Sequence, residues 1–156
     1  MSVVIFLRHA KSDWHAGAST DTERPLNRRG RQAAAAVGKF LAEAGRVPDL
    51  VLCSPAVRTC QTLELAMQAG GWTSPVEIAD ELYYGSVSHM LALASQRRVP
   101  VTMLVGHEPT TSTAIGRLTG AALRMPTAGL AQVTLNPDNT GQLDWLIPPR
   151  LLTDRS

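Results

Sequence analysis

The sequence predicts an α/β domain: a mainly parallel sheet with helices on both faces. Three observations carry that expectation. The runs "VVIFL" (Val3–Leu7), "LVLC" (Leu50–Cys53) and "VTMLVG" (Val101–Gly106) lack the polar alternation of a half-exposed strand, so each is buried on both faces. Segments with a 3.6-residue apolar period separate them, the pattern of strand–helix–strand crossovers. Near the C-terminus, Leu130–Leu135 and Leu143–Ile147 are joined across the turn-rich stretch "NPDNTG", which reads as a hairpin.

Taken in order, Val3–Leu7 is the first strand. Asn27 caps a helix on which Ala33, Val37, Phe40, Leu41 and Ala44 keep the helical period, and Gly45 stops it. After the strand Leu50–Cys53, Ser54 caps and Pro55 opens a helix with Ala56, Cys60, Leu63 and Met67 on one face. A short strand near Val76–Ala79 precedes a loop, and Ser86 then caps a modest helix carrying Val87, Met90, Leu91 and Ala94. The strand Val101–Gly106 leads into a helix from about Pro109 to Leu118. No repeat, linker or low-complexity stretch interrupts this order, so residues 1–156 read as one domain.

Composition narrows the function. A chain of 156 residues can bury a real core, and 44% apolar against 18% charged residues argues against disorder. A net charge of +2 is too small for a general nucleic-acid binder. The first apolar run has no basic segment before it and is too short for a signal or a membrane span, so the expected compartment is the cytoplasm, with no membrane partner. A monomer is expected. Cys53 and Cys60 form neither a CxxC pair nor a disulfide scaffold and are expected as small core hydrophobes, on a strand and a turn into the next helix.

The cations are more telling. Thirteen arginines stand against only Lys11 and Lys39, and arginine offers a planar fork of donors that matches phosphate or carboxylate. Most of them are ordinary solvated surface. In open α/β sheets, however, ligands bind beyond the carboxyl ends of the strands. Three such ends carry charge here: Arg8-His9 after the first strand, Ser54-Pro55 leading to Arg58 after the second, and Gly106-His107 after the Val101 strand. The helix macrodipole repels a first-turn cation such as Arg58 by roughly a few tenths of a kcal/mol, and Arg28, Arg29 and Arg31 near Asn27 break the same rule. Two arginines, two imidazoles and helix N-termini at one sheet edge make a site for a tetrahedral anion. The chain has no GxxxxGKS loop for a nucleoside triphosphate. It has no HExxH spacing that would make His9, His15, His89 and His107 a metal centre, and His89 is expected as a bystander on an exposed helix face.

Four stretches, "LRHAKSDW", "RPLNRRG" followed by Gln32-Ala33, "SPAVRTCQT" and "VGHEPT", resemble in order and spacing the motifs of the histidine phosphatase superfamily. The RHAKS and RPL forms resemble its small SixA-like branch of protein phosphohistidine phosphatases, and the likeness runs from the first strand to the final "DWLIPP". The resemblance implies a three-layer α/β/α fold and a phosphatase that hydrolyses phosphohistidine on a protein and releases inorganic phosphate, with neither metal nor cofactor. It implies His9 as the nucleophile that becomes phosphorylated, attacking as the neutral imidazole, with Arg8 and Arg58 lowering its pKa. Arg8, Arg58 and His107 are implied to embrace the phosphoryl oxygens, with Ser12 and His15 as further substrate contacts.

The chain also departs from the family pattern. Ala10 and Lys11 stand where the family at large has RHG-E, a variant the small branch shares, and His15 stands where many members have a phosphate-touching asparagine. "ELYYG" (Glu81–Gly85) is similar to the segment that supplies a catalytic glutamate in the mutase branch, whereas the SixA-like branch manages without a strong acid there; Glu81 as general acid and Glu81 as exposed bystander both stay open. A phosphomonoesterase of a small phosphorylated metabolite is the alternative reading. A mutase is less expected because so short a chain leaves little to insert as a lid. A non-catalytic module that docks phosphorylated partners would tolerate loss of His9 but not of the arginines.

Overall fold

Ser2–Arg8 form the strand β1 in the interior of a six-stranded sheet. The structure, a computed structural model, describes residues 2–153. In chain order the remaining elements are α1 (Arg28–Glu43), β2 (Leu50–Cys53), α2 (Val57–Gly70), β3 (Val76–Ile78), α3 (Glu81–Tyr84) and α4 (Val87–Ala94). Then follow β4 (Val101–Gly106), α5 (Thr110–Thr119), β5 (Leu130–Leu135), β6 (Gly141–Ile147) and α6 (Arg150–Thr153), and a 3-10 turn lies at Asp21–Glu23. Across the sheet the order is β3-β2-β4-β1-β5-β6. The first four of these run parallel, and β5 and β6 add antiparallel to β1 and to each other.

The apolar runs explain the layers. Along β1, Val4 and Phe6 point to one face and Ile5 and Leu7 to the other, all four buried. The first pair meets Met90 of α4 and Ile115 of α5; the second meets Val37 and Leu41 of α1 and Leu63 of α2. Each fully buried side chain of this size stabilises by about 1.5–3 kcal/mol. Helices therefore cover both faces, giving the three-layer α/β/α arrangement. Where α1 crosses α2, a Cβ on Gly38 would collide with the Ala66 backbone, so glycine lets the two helices approach backbone to backbone. No described helix is long and apolar enough to cross a membrane.

Several elements differ from the expectation. Asn27 does cap α1, accepting from the Gly30 N–H at 2.8 Å, but the buried stripe is Ala34, Val37, Gly38 and Leu41, with Ala44 exposed beyond the crossing. Ser54 does not cap α2. That helix starts at Val57 with Ala56 as its N-cap, because the Ser54 hydroxyl is turned to His107 at 2.8 Å. The loop expected after β3 contains the short α3, β6 begins at Gly141, and α6 packs Leu152 against the α1 side of the core. Cys53 is buried, whereas Cys60 is half-buried and borders an apolar hollow of about 300 Å³. Both thiols donate to the Ser54 carbonyl, Cys53 Sγ at 3.3 Å and Cys60 Sγ at 3.5 Å.

Candidate active site

Register builds the site. Pairing of β1 with β4 sets Arg8 opposite Gly106, so the residues that follow, His9 and His107, leave the sheet side by side with ring centroids 5.3 Å apart. The His9 backbone is pinned on both sides, its N–H donating to Gly106 O and its carbonyl accepting from the Ala128 N–H, each at 3.0 Å. Helix α2 is tied to the same turn: the Ala10 N–H donates to Thr62 Oγ1 at 2.9 Å, and that hydroxyl donates to Arg58 O at 2.6 Å. These ties converge on a cavity of about 600 Å³ at the carboxyl edge of the sheet.

His9 is buried, and its Nδ1 lies 2.7 Å from Ala10 O. A carbonyl can only accept, so Nδ1 carries the proton and Nε2 keeps the lone pair. Burial, more than any neighbouring charge, lowers the His9 pKa to about 4; Arg58, Arg8 and Arg24 push the same way. The charge-based lowering expected from the resemblance is therefore present but secondary. His107 is neutral for the same reasons, its pKa lowered to about 3 by burial, then by His9 and Arg58. Its Nδ1 faces Arg58 Nη2 at 3.4 Å and accepts from it, which leaves Nε2 to donate to Ser54 Oγ at 2.8 Å.

The arginines are braced by oxygen atoms. Arg8 Nη1 donates to Met125 O at 2.9 Å. Arg58 donates from Nη1 to Asp21 O at 2.8 Å and from Nη2 to Asp21 Oδ2 at 3.0 Å. Asp21 also receives Arg24 at 3.0 Å and the Tyr83 hydroxyl at 2.7 Å, and the Tyr83 bond is the chief reason its carboxyl titrates below the usual range. Arg24 is buried, with its guanidinium stacked 3.4 Å from the centre of the exposed Trp14 ring. Four donor atoms at this site, Arg8 Nε, Arg58 Nε, and Nε and Nη1 of Arg24, are buried without a partner. Unmet donors are costly, and an oxyanion here would sit in a field that compensates them.

Of the residues expected at the site, Arg8, His9, Ser12, Arg58 and His107 line the cavity. Glu81 and His15 do not. Glu81 is exposed at the start of α3, where Leu82 turns into the core and Tyr83 is the residue that reaches the cavity. His15 is exposed on the loop after Ser12, its backbone N–H bonded to Asp13. His89 is exposed too, its Nδ1 accepting from the Ser86 N–H at the start of α4. Sequence reasoning missed Asp21, Arg24 and the role of Tyr83. Arg24 and Tyr83 stood inside or beside quoted motifs, whereas nothing local marked Asp21. Among the described residues, one carboxylate lines the cavity besides Asp21, and it is occupied: Glu108 accepts from the Ser112 N–H and hydroxyl, both at 2.7 Å. Among the described residues, no group of three His, Cys, Asp or Glu side chains is placed to hold a metal ion.

A neutral, tautomer-fixed imidazole amid guanidinium donors can accept a tetrahedral oxyanion beside an unprotonated ring nitrogen, and the sequence profile of the histidine phosphatase superfamily (branch 1) matches residues 4–102. The chain belongs to this superfamily. It is similar to an uncharacterised chloroplastic protein of Arabidopsis thaliana, 31% identical over 140 residues, a match spanning 82% of this chain and 64% of that protein. Over solved structures it is similar to a protein assigned as phosphohistidine phosphatase SixA from Agrobacterium tumefaciens, with 31% identity, a TM-score of 0.85, and 95% of this chain and 98% of that one covered. The protein histidine phosphatase SixA complexed with tungstate superposes with a TM-score of 0.84 at 25% identity, covering 96% of this chain and 99% of that one. The chain thus spans nearly all of the SixA structures but about two thirds or less of the length of the first curated relatives it matches.

Proposed function

We propose that this protein is a phosphatase that hydrolyses phosphohistidine on a protein by way of a phosphorylated His9. His9 Nε2 forms a bond to phosphorus as the bond to the substrate imidazole breaks, in line, and the departing ring takes its proton from solvent. Arg8, Arg58 and Arg24 hold the phosphoryl oxygens and meet the charge of the transition state. Water then attacks phosphorus, the bond to His9 breaks, the proton of the water passes to solution, and inorganic phosphate leaves. His107, neutral in the free protein, contributes as a hydrogen-bonding imidazole beside the nucleophile. Charge is met by side chains, so no metal enters the scheme.

The observation that carries this reading is the His9–Ala10 bond, which fixes the tautomer with Nε2 unprotonated in a pocket that also suppresses protonation. The choice of phosphohistidine over a phosphate ester is supported by the carboxylates. Glu108 is engaged by Ser112 and Glu81 lies outside the cavity lining, so neither stands ready to protonate an alkoxide. Likeness to the SixA structures supports the same choice. The test is rapid quenching of the protein with a phosphohistidine protein. Mass spectrometry should find an acid-labile phosphate on His9, His9→Ala should abolish it, and EDTA should leave the rate unchanged. Full turnover by the Ala variant would remove the nucleophile assignment.

A further inference from the structure

The cavity is open on one side to a strip of cations that the chemistry does not use. Lys11 and Thr127 line both the catalytic cavity and a second hollow of about 380 Å³, which Arg29 and Arg150 complete. Thr127 and Arg150 continue into a third hollow of about 580 Å³, where Arg124 stands beside Pro126, Leu146 and Pro148. Lys11, Arg29, Arg124 and Arg150 are exposed, and none is ion-paired to a described residue. No carboxylate among the described residues lines either outer hollow. Arg29 is costly where it stands: it lies in the first turn of α1, a turn without an acidic residue, where the macrodipole disfavours a cation.

We propose that this strip docks an acidic face of the phosphorylated protein and so delivers its phosphohistidine to His9. The inference rests on the phosphohistidine reading above and names what that substrate must carry beside the phosphorylated residue. Three joined hollows exceed what one phosphate and a small leaving group would occupy. Arginines around a proline and leucine floor are the composition of a protein interface, apolar at the centre and cationic at the rim. Charge alone would also suit a nucleic acid, but among the described residues no aromatic ring on which a base could stack lines either outer hollow. The strip also attracts an acidic partner before contact, raising the encounter rate at low salt.

The test uses phosphohistidine peptides identical except for flanks of four aspartates, four asparagines or four lysines. Aspartate flanks should lower KM about tenfold relative to asparagine, with kcat unchanged, and the advantage should shrink as salt rises. The double variant Arg29→Glu, Arg124→Glu should abolish the aspartate advantage. Its kcat/KM on a small substrate, the phosphoramidate ion, should stay at the wild-type value, which also reports an intact fold. Equal KM for all three flanks, or a preference that survives the double reversal, overturns the docking proposal while leaving the function intact. Hydrolysis of esters but of no phosphohistidine peptide instead overturns the functional reading. The same flanks on phosphoserine peptides then show whether the strip still selects acidic partners, and equal KM there overturns docking as well.

Discussion

Asp21 occupies Arg58 from two directions, its Oδ2 accepting from Nη2 at 3.0 Å and its backbone oxygen from Nη1 at 2.8 Å. The arginine proposed to hold the phosphoryl group is thus oriented by a carboxylate whose charge would repel that group. Arg24 and Tyr83 converge on the same carboxylate, so one side chain from a 3-10 turn aligns three others.

Asp21→Asn separates the two effects. The backbone bond and one acceptor oxygen persist, but a negative charge beside the phosphate is removed, so inorganic phosphate should inhibit about three- to tenfold more tightly. The looser Arg58 should lower kcat by less than about tenfold. Product-inhibition and turnover measurements read the two separately. Weaker phosphate binding would show that orientation of Arg58 outweighs the charge.

Two buried neutral imidazoles make stability depend on pH. His9 titrates near 4 and His107 near 3 in the folded protein, both below the ordinary histidine value of 6.5. Below about pH 6.5 the unfolded chain takes up protons that the folded one refuses, so stability falls as pH drops toward 4 and is fully present above 7. The His9 contribution amounts to a loss on the order of 3 kcal/mol across that window. Urea titrations at pH 7 and pH 4.5, with His9→Asn as the comparison, should show the variant losing less stability than the wild type. An NMR titration that found His9 protonating near 6.5 would contradict the buried neutral tautomer.

Ser54 links the second strand to the second imidazole, donor and acceptor meeting at 2.8 Å. Ser54→Ala should leave His107 Nε2–H without a partner and free the ring to turn. We expect about a tenfold fall in kcat with KM little changed, and about 1 kcal/mol of stability lost with the hydrogen bond. A purely structural role would lower the melting temperature while leaving kcat intact. Ser54→Thr, which keeps the hydroxyl, should restore most of the rate.

What the sequence disclosed follows from distance along the chain. The strands β1, β2 and β4 were legible because burial on both faces leaves an apolar run, and their shared carboxyl edge made Arg8, His9, Arg58 and His107 a set. The four-residue α3 and α6 span about one helical turn each, too short for any period to show. Ser54 was misjudged as a cap because a serine before proline usually is one; a partner 53 residues away decided otherwise. Asp21 lies on an aperiodic loop and acquires its role only when that loop folds over α2, which no local rule registers.

Glu81 offers the sharpest division between the phosphohistidine and ester readings. An alkoxide leaving phosphorus near pH 7 needs a proton from a positioned acid, and such an acid is worth about 10²- to 10⁴-fold. A departing imidazole needs none, since solvent protonates its ring. Glu81 is exposed and outside the cavity lining, while Tyr83, the neighbour that does reach the cavity, is a weak acid made weaker by its bond to Asp21. Rates should therefore follow leaving-group basicity steeply: a phosphohistidine peptide fast, p-nitrophenyl phosphate intermediate, a simple alkyl phosphate slowest. Glu81→Gln should change kcat/KM less than about twofold on all three, because no substrate draws on it for a proton. Parallel measurements at one pH decide the matter. A hundredfold loss confined to the alkyl ester would mean that α3 brings Glu81 over the bound substrate as a general acid, and the preferred substrate would then be a phosphate monoester.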